Sequence, residues 1–229
     1  MNKNKYDLTV GELFENVPKN LRGDFDKVNY AWEIIPKIKE IVGRIIENGE
    51  GYTVLTDGVL VGKNVKIAET ATIIPPAIIG NGVEIRPGAY LRGNVYIGDG
   101  CVVGNSTELK NCVLLNRVQV PHYNYVGDSV LGNGAHLGAG AICSNLKSDK
   151  TAVRVKTDNA VYDTGIRKFG AALADNADVG CGCVLNPGTV VGKNTRIYPL
   201  VSVRGVIPSD RIVKSAECLV KKEVRPCAE

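Results

Sequence analysis

The chain has 229 residues, of which 44% are hydrophobic and 23% are charged, and its formal net charge is +4. It contains no apolar run near the roughly 18 residues of a membrane span, no secretory signal pattern and no basic stripe, so we expect a cytoplasmic protein that binds neither membrane nor nucleic acid. Its seven cysteines lack the paired spacing of metal ligands, which predicts reduced thiols and no metal site.

Residues 1–58 are predicted to form a helical segment that is separate from the rest of the chain. Apolar residues recur on one face between Tyr30 and Glu47, which predicts a single amphipathic helix that ends at Asn48-Gly49. Stacked repeats need their terminal units covered. We therefore expect this helix to pack on the repeats that follow and to cover their N-terminal end.

The next segment repeats with a period of six residues. An aliphatic residue occupies every sixth position through ten hexads from Val61 to Leu115. The series slips by one residue at Pro121–Val126, stops after Ala141 and returns at Leu173. This period fits neither a helix nor a long strand, so it predicts a solenoid in which each hexad is one short strand and a turn.

The repeats set the predicted domain boundaries. We assign residues 59–208 to the solenoid, which would carry an acyltransferase domain, and residues 209–229 to a short basic tail. An insertion at 146–172 interrupts the repeats. Within it, Val153–Lys156 and Ala160–Tyr162 flank the turn signal Thr157-Asp158-Asn159, which predicts a basic hairpin.

A set of polar residues stands where the hexads slip, and it includes His122, one of only two histidines. The set reads Thr107-Glu-Leu-Lys110, His122-x-x-Tyr125-x-Gly-Asp128, Leu137-Gly-Ala-Gly140 and Asn145. It resembles the acetyltransferase domain of the bacterial bifunctional N-acetylglucosamine-1-phosphate uridylyltransferase/glucosamine-1-phosphate acetyltransferases. Asp163-Thr-Gly-Ile-Arg167-Lys168-Phe-Gly-Ala resembles archaeal relatives that act on amino-sugar 1-phosphates. The resemblance covers about residues 60–205.

The resemblance implies an all-β fold, a left-handed parallel β-helix of hexapeptide repeats with a short N-terminal helical cap. Two further hexads at Leu131 and Leu137 and six from Leu173 to Val203 bring the total to 18. Three hexads would close one coil, so we expect six coils. The implied activity is acetyl-CoA-dependent N-acetylation of glucosamine-1-phosphate or galactosamine-1-phosphate. The product of such a reaction would be a precursor of the cell wall. The implied assembly is a homotrimer, with acetyl-CoA lying between adjacent solenoids.

The same resemblance implies roles for individual residues. His122 would be the general base that takes a proton from the sugar amine. Asn145 would contact the sugar near the reacting nitrogen. Arg86, Lys110 and Tyr125 would hold the sugar phosphate.

Four further assignments complete the predicted site. His136 stands where bacterial members carry asparagine, and we expect it on the sugar side. Lys150 and Arg154 of the basic hairpin are predicted to contact the phosphates of the coenzyme, with a solvated loop as the other interpretation. Cys181 is also predicted at the coenzyme, with packing in a turn as its alternative.

If a coil holds 18 residues, positions 18 apart stack on one face. Arg86, Gly104 and His122 would then form one column, and Arg92 and Lys110 the next. Gly104 would leave a gap of about 10 Å, two rung spacings, between Arg86 and His122. Such a gap could hold a small phosphorylated molecule.

Other functions remain open at this point. A γ-type carbonic anhydrase needs three histidine ligands, and the chain has two histidines. An acyltransferase that uses a nucleotide-linked amino sugar or an O-acetyl acceptor is one alternative. A non-catalytic subunit that binds sugar nucleotides or serves assembly is another. Residues 1–58 lack the length and the glycine-rich loop of a nucleotidyltransferase domain, so we expect no nucleotidyltransferase activity.

Overall fold

The computed structural model describes residues 8–215 and 218–221 of the chain. Short parallel strands wind into a solenoid with three sheets along its sides, which confirms the predicted left-handed β-helix. Left-handed winding is an exception to the usual right-handed crossover of parallel strands. In the part of the chain that is described, no helix is long and apolar enough to cross a membrane.

The helical segment contains more elements than predicted. They are α1 (Val10–Leu13), α2 (Lys19–Phe25), two 3-10 turns (Ala31–Glu33 and Ile35–Lys37) and α3 (Ile38–Asn48). The prediction of one continuous helix from Tyr30 was therefore wrong in its first half. Pro36 lies in the second 3-10 turn and lacks the backbone donor that a helix interior needs. Gly49, with φ of 62°, ends α3 at the predicted place.

The strands form three long sheets. The first sheet contains β1 (Thr53–Thr56), β2 (Val59–Val61), β5 (Ala77–Ile79), β8 (Val95–Ile97), β11 (Cys112–Leu114), β14 (Val130–Leu131), β19 (Ala171–Leu173), β22 (Thr189–Val191) and β25 (Val206–Ile207). The second contains β3 (Lys66–Ile67), β6 (Glu84–Ile85), β9 (Val102–Asn105), β12 (Gln119–His122), β15 (His136–Leu137), β20 (Asp178–Val179), β23 (Arg196–Ile197), β26 (Arg211–Ser215) and β27 (Cys218–Lys221). The third contains β4 (Thr72–Ile74), β7 (Tyr90–Arg92), β10 (Glu108–Lys110), β13 (Tyr125–Gly127), β16 (Ile142–Cys143), β21 (Val184–Leu185) and β24 (Ser202–Val203).

The solenoid is longer than the predicted six coils. The third sheet has seven strands, so seven coils are complete, and β25 and β26 begin an eighth. β26 pairs in parallel with β23, so the solenoid continues into residues that were assigned to the tail. The partners Arg196 and Ile212 are 16 positions apart, and this shorter step hides the last coil from a search with period six.

The register changes earlier than the sequence predicted. Ile79 pairs with Ile97, 18 positions on, but Ile97 pairs with Leu114, only 17 positions on. Leu114 therefore points into the solenoid, while Leu115 belongs to the apolar cluster around the helical segment. The prediction that Leu115 continues the inward series was wrong, because a coil one residue shorter precedes the predicted slip.

The helical segment packs on the side of the solenoid. Together with the insertion, it covers the outward apolar residues of the first sheet, namely Leu60, Ile78, Tyr96, Val113, Val130, Ala172 and Val190. The expected cap over the N-terminal end was wrong, since Val61, Ile67 and Ile73 of the first coil stay only partly buried. The first sheet carries apolar residues on both faces, so its outward face offers the amphipathic helix apolar area to bury.

The insertion forms the predicted hairpin. Strands β17 (Arg154–Lys156) and β18 (Val161–Asp163) pair in antiparallel fashion. A bridge between Leu146 and Lys168 joins the two ends of the insertion. Tyr162 of the hairpin lies 6.2 Å from Trp32, between ring centroids, so the hairpin packs against the helical segment.

Asparagine and aspartate side chains form a ladder at the corner between the first and second sheets. Asp99 Oδ1 accepts a hydrogen bond from the Asn81 backbone N–H at 2.8 Å, and Asn116 Oδ1 accepts one from the Asp99 N–H at 2.9 Å. Asn133 and Asp175 continue this pattern. The ladder satisfies backbone donors where the chain turns and cannot pair within a strand.

The inward column predicts how single substitutions change stability. Leu185→Ala should lower the free energy of unfolding by about 2–5 kcal/mol, because Leu185 is fully buried and its loss leaves a cavity. The measurement is urea denaturation followed by circular dichroism. Leu200→Ala is the matched control: Leu200 is 84% exposed, and we expect a change within about 0.5 kcal/mol. Equal losses in the two variants would contradict the inward placement of Leu185.

Candidate active site

The segment from His122 to Asp128 crosses the third sheet from one corner to the other. His122 ends β12 at the corner between the second and third sheets, which we call the His122 corner. Asp128 follows β13 at the corner between the third and first sheets, which we call the Asp128 corner. Val126 points inward, so Tyr125 and Gly127 point outward on the same strand.

A buried carboxylate organises the Asp128 corner. The Asp128 side chain is 4% exposed, and Lys110 Nζ donates to both of its oxygens at 2.9 Å. Asn111 Nδ2 donates to Oδ1 at 2.8 Å, and Asn145 Nδ2 donates to Oδ2 at 2.5 Å. Asn145 Nδ2 also donates to Tyr125 Oη at 3.2 Å. The structure thus brings together Lys110, Tyr125 and Asn145, three residues that the sequence assigned to the site.

The repeats explain why these residues meet. Lys110 ends β10 and pairs with Gly127 of the next coil, while Asn145 follows the strand after that. Asn111 and Asp128 adopt left-handed backbone conformations, with φ of 47° and 48°, which asparagine and aspartate tolerate best after glycine. A Cβ at Gly127 would come within 2.5–2.8 Å of the Tyr125 ring end and the Asn145 amide, so a side chain there would displace them.

The environment of Tyr125 keeps its hydroxyl protonated. Burial raises the pKa of Tyr125, and the negative charge of Asp128 raises it further. The hydrogen bond from Asn145 opposes this effect without reversing it. Tyr125 therefore remains a hydrogen-bond donor beyond the pH at which a tyrosine usually ionises.

His122 is held by its backbone and leaves its ring exposed. Its N–H donates to Asn124 Oδ1 at 3.1 Å, and its carbonyl accepts a bond from the Gly140 N–H at 3.0 Å. Asn124 is buried and donates to the carbonyls of Gly138 and Ala141. Among the described residues, none makes a hydrogen bond to the His122 ring. An exposed ring without a partner is free to accept a proton from a bound molecule.

The predicted column of Arg86, Gly104 and His122 was wrong. The 17-residue step pairs His122 with Asn105 instead of Gly104. A Cβ at Gly104 would lie 1.5 Å from the carbonyl oxygen of Pro121, so the backbone of Pro121 fills the expected gap. No binding gap therefore separates Arg86 from His122 in this column.

His136 lies on the second sheet and Arg86 directly follows its strand β6, so both are away from the Asp128 corner. Arg86 Nε donates to Glu84 Oε1 at 2.9 Å. His136 Nδ1 lies 2.8 Å from Asp178 Oδ1, and Arg196 Nε lies 3.8 Å from the other oxygen of that carboxylate. The contacts within the described part of the chain join neither Arg86 nor His136 to Tyr125 or Asn145, so the predicted substrate set is divided between two sheets.

Two cations that the sequence did not assign line a cavity at the Asp128 corner. This cavity of about 300 Å³ lies between the helical segment and the insertion, and Arg167 and Lys168 line it together with Asn111 and Asp128. Both residues stand in the motif that resembles archaeal relatives. Lys168 forms a β-bridge with Leu146, the neighbour of Asn145, and this contact places Lys168 beside the site.

A larger basic cavity lies beside the hairpin. It measures about 670 Å³, and its cationic lining residues are Lys147, Arg154, Lys156 and Arg204. Lys150 is not among the residues that line it. Cys181 lies across the third sheet, exposed at the His122 corner. The predicted coenzyme residues therefore occupy different places, and only Arg154 faces this cavity.

Two buried cysteines of the solenoid are poor candidates for chemistry. Burial raises the pKa of Cys101 and of Cys143 to about 12 each, so both thiols stay protonated and unreactive. Within residues 8–215 and 218–221, no group of three or more histidine, cysteine, aspartate or glutamate side chains is placed to hold a metal ion.

Comparisons with known proteins identify the relatives of the chain. The family described as GMPPB C-terminal domain matches residues 73–166. A protein of Methanococcus vannielii named bifunctional protein GlmU is 31% identical over 207 residues, which cover 88% of this chain and 50% of that protein. The chain thus spans about half the length of this relative.

Two further relatives carry acetyltransferase names. A bifunctional sugar-1-phosphate nucleotidylyltransferase/acetyltransferase of Sulfurisphaera tokodaii is 34% identical over 113 residues, 49% of this chain and 28% of that protein. An uncharacterized acetyltransferase, YaiX, of Escherichia coli O6:K15:H31 is 32% identical over 151 residues, 66% of each chain. The repeats and the fold thus show a left-handed β-helix, and the chain is similar to proteins named as acetyltransferases.

Proposed function

We propose that the chain transfers an acetyl group from acetyl-CoA to the amine of an amino-sugar 1-phosphate, either glucosamine-1-phosphate or galactosamine-1-phosphate. The observation that carries the proposal is the convergence of Lys110, Tyr125 and Asn145 around one buried carboxylate, Asp128, which follows the strand next to His122. The relatives named as sugar-1-phosphate acetyltransferase and GlmU support this substrate class.

The proposed reaction uses His122 as general base. The sugar amine attacks the thioester carbon of acetyl-CoA, so an N–C bond forms, and the His122 ring takes a proton from the nitrogen. The C–S bond then breaks, and the imidazolium returns the proton to the departing thiolate, which leaves as coenzyme A. The exposed, unpaired ring of His122 supports this role.

The sugar is proposed to lie along β13. His122 and Tyr125 are three residues apart, so their Cα atoms are separated by at most about 10 Å and both side chains can contact one bound sugar. The protonated Tyr125 hydroxyl would donate to an oxygen of the ligand. Asn145 would contact the amine from the next coil.

The phosphate is proposed to bind at the 300 Å³ cavity of the Asp128 corner. Lys110 is already paired with Asp128, so most of its charge is balanced before a ligand arrives. Arg167 and Lys168 line the cavity and supply two further cations. Arginine binds phosphate oxygens in a bidentate manner, and lysine contributes a point charge. We assign the phosphate to these two residues and leave Arg86 out of the site.

Acetyl-CoA is proposed to place its phosphates in the 670 Å³ cavity, against Arg154 and its neighbouring cations. We further propose a cytoplasmic homotrimer, in which this cavity faces a second copy. Ile74, Tyr90 and Ile142 expose apolar side chains on the third sheet, and a second copy against this sheet would cover them. Nucleotidyl transfer is not part of the proposal, since the described residues form a helical segment and a solenoid.

The proposed reaction predicts thiol release from acetyl-CoA. The purified chain should release coenzyme A with glucosamine-1-phosphate or galactosamine-1-phosphate, and His122→Ala should lower kcat by about 10²–10⁴-fold. Thiol release is followed with a chromogenic disulfide reagent. Glu69→Gln, at an exposed residue of the first coil, is the control and should keep the wild-type rate.

A UDP-linked amino sugar is assayed beside the two 1-phosphates. Turnover with the nucleotide-linked sugar alone would overturn the proposed acceptor and favour the alternative acyltransferase. If a well-folded protein releases no thiol with any of the acceptors, acetyl transfer is overturned and a binding or assembly role is favoured.

The coenzyme cavity predicts a separate kinetic change. Arg154→Ala should raise KM for acetyl-CoA by about 10–100-fold with little change in kcat, because a lost phosphate contact weakens the ground state and the transition state equally. Steady-state kinetics at varied acetyl-CoA measure this. Arg117→Ala, at an exposed arginine outside the cavity, should leave KM unchanged. A loss confined to kcat in Arg154→Ala would contradict the assignment.

The raised pKa of Tyr125 predicts its behaviour at alkaline pH. Subtracting the 295 nm titration of Tyr125→Phe from that of the wild type isolates this hydroxyl, which should ionise above the usual value of about 10. The donor role of Tyr125 is therefore expected to persist through the neutral range. Tyr90→Phe, on the same outward column, is the reference for the loss of one tyrosine. Ionisation of Tyr125 below pH 10 would contradict its described burial.

A further inference from the structure

The hydrogen bonds that Asn145 makes within the protein leave only its side-chain carbonyl oxygen free for a ligand. A carboxamide has two N–H donors and one carbonyl acceptor. Asn145 Nδ2 donates to Tyr125 Oη at 3.2 Å and to Asp128 Oδ2 at 2.5 Å, so both donors are engaged within the protein. Within the described residues, no group donates to Asn145 Oδ1. Towards a ligand, Asn145 can therefore only accept a hydrogen bond.

Asp128 is the group that imposes this orientation. Its ionised carboxylate accepts hydrogen bonds from Lys110, Asn111 and Asn145 and is itself almost fully buried. Its backbone is tied on both sides, because its N–H donates to the Lys110 carbonyl and its carbonyl accepts from the Gly170 N–H. An ionised carboxylate cannot donate, so the amide of Asn145 must turn its nitrogen towards Asp128.

Tyr125 offers a ligand a hydrogen-bond donor, where Asn145 offers an acceptor. Its oxygen accepts the second N–H of Asn145, which leaves its own O–H free to donate outward. Burial and the charge of Asp128 keep this hydroxyl protonated. The two residues therefore offer a ligand one acceptor, at Asn145, and one donor, at Tyr125.

We propose that Asp128 is a positioning residue for acetyl transfer, which acts through Asn145. By fixing the amide, it aims Asn145 Oδ1 at one N–H of the attacking amine. The amine then gives its other proton to His122 and directs its lone pair at the thioester carbon. The inference rests on the proposed function and adds to it that Asn145 cannot donate to the oxyanion of the tetrahedral intermediate, because both of its N–H groups are engaged.

The test reverses the hydrogen-bonding pair. Asp128→Asn places an amide against an amide, and Asn145→Asp places a carboxylate against a carboxylate. Each should lower kcat for the amino-sugar phosphate by about 100-fold through misplacement of the amine, with KM for acetyl-CoA unchanged. In the double variant, the amide at 128 donates to the carboxylate at 145, whose other oxygen again faces the amine. We expect kcat at least ten times that of either single variant.

The double variant separates positioning from a merely structural role. A structural loss would add in the double variant, whereas recovery requires the two side chains to act as a pair. A double variant that is slower than both single variants would overturn the proposal. Thermal unfolding of all four proteins is measured in parallel, so that activities are compared only between folded proteins.

A second measurement does not depend on activity. In protein labelled with ¹⁵N at asparagine, the side-chain amide of Asn145, identified by its loss in Asn145→Asp, should exchange slowly with water. The exposed amide of Asn159 is the control for fast exchange. Fast exchange at Asn145 in the wild type would overturn the positioning role. Slow exchange in a wild type that shows no acetyl transfer would overturn the proposed function but not the orientation of the Asn145 amide. The exchange measurement uses the wild type, so it remains valid if Asp128→Asn fails to fold.

Discussion

The rest of the structure depends on one constraint, the length of each coil. Parallel pairing requires the chain to return to the same position on the neighbouring coil after each circuit, and the inward aliphatic residue must return with it. Coils of 17 and 18 residues both satisfy this requirement here, because the corner residues absorb the difference. Residues from three successive coils therefore stack at one corner, and this stacking unites Lys110, Asp128 and Asn145 although they are far apart in sequence.

Burial of one carboxylate decides the chemistry of the Asp128 corner. A buried charge is tolerated only with an opposite charge and further hydrogen bonds, and Asp128 has Lys110 and two amides. Lys110 thereby serves the fold before it can serve a ligand. This is why the cations of the insertion, Arg167 and Lys168, become the better candidates for an incoming phosphate. The insertion thus supplies cations for a ligand, because the lysine that the repeats place at this corner, Lys110, is already paired with Asp128.

The sequence predicted the solenoid and part of the site, and its failures have physical reasons. The period of six identified inward residues such as Ile79 and Leu91, and the spacing of Lys110, Tyr125 and Asn145 gave a set that meets in space. A coil that is one residue shorter has the same local composition as its neighbours, so the slip before Leu114 was predicted too late in the chain. The predicted stacking of Arg86, Gly104 and His122 was wrong for the same reason. The helical segment was misplaced because apolar residues beside the hexad positions, such as Ile78, were not read as a second buried face.

Each end of the solenoid is finished by one antiparallel strand, and this has a consequence for its motions. β1 covers the edge of β2 at one end and β27 covers the edge of β26 at the other, while the inward side chains of the first coil stay only partly buried. In a stack where each coil contacts only its neighbours, opening proceeds coil by coil from the ends. The strands that carry the Asp128 corner lie in the third, fourth and fifth of seven complete coils. Opening of the first coil therefore leaves at least one intact coil between solvent and the site, and local breathing of the end does not disturb its geometry.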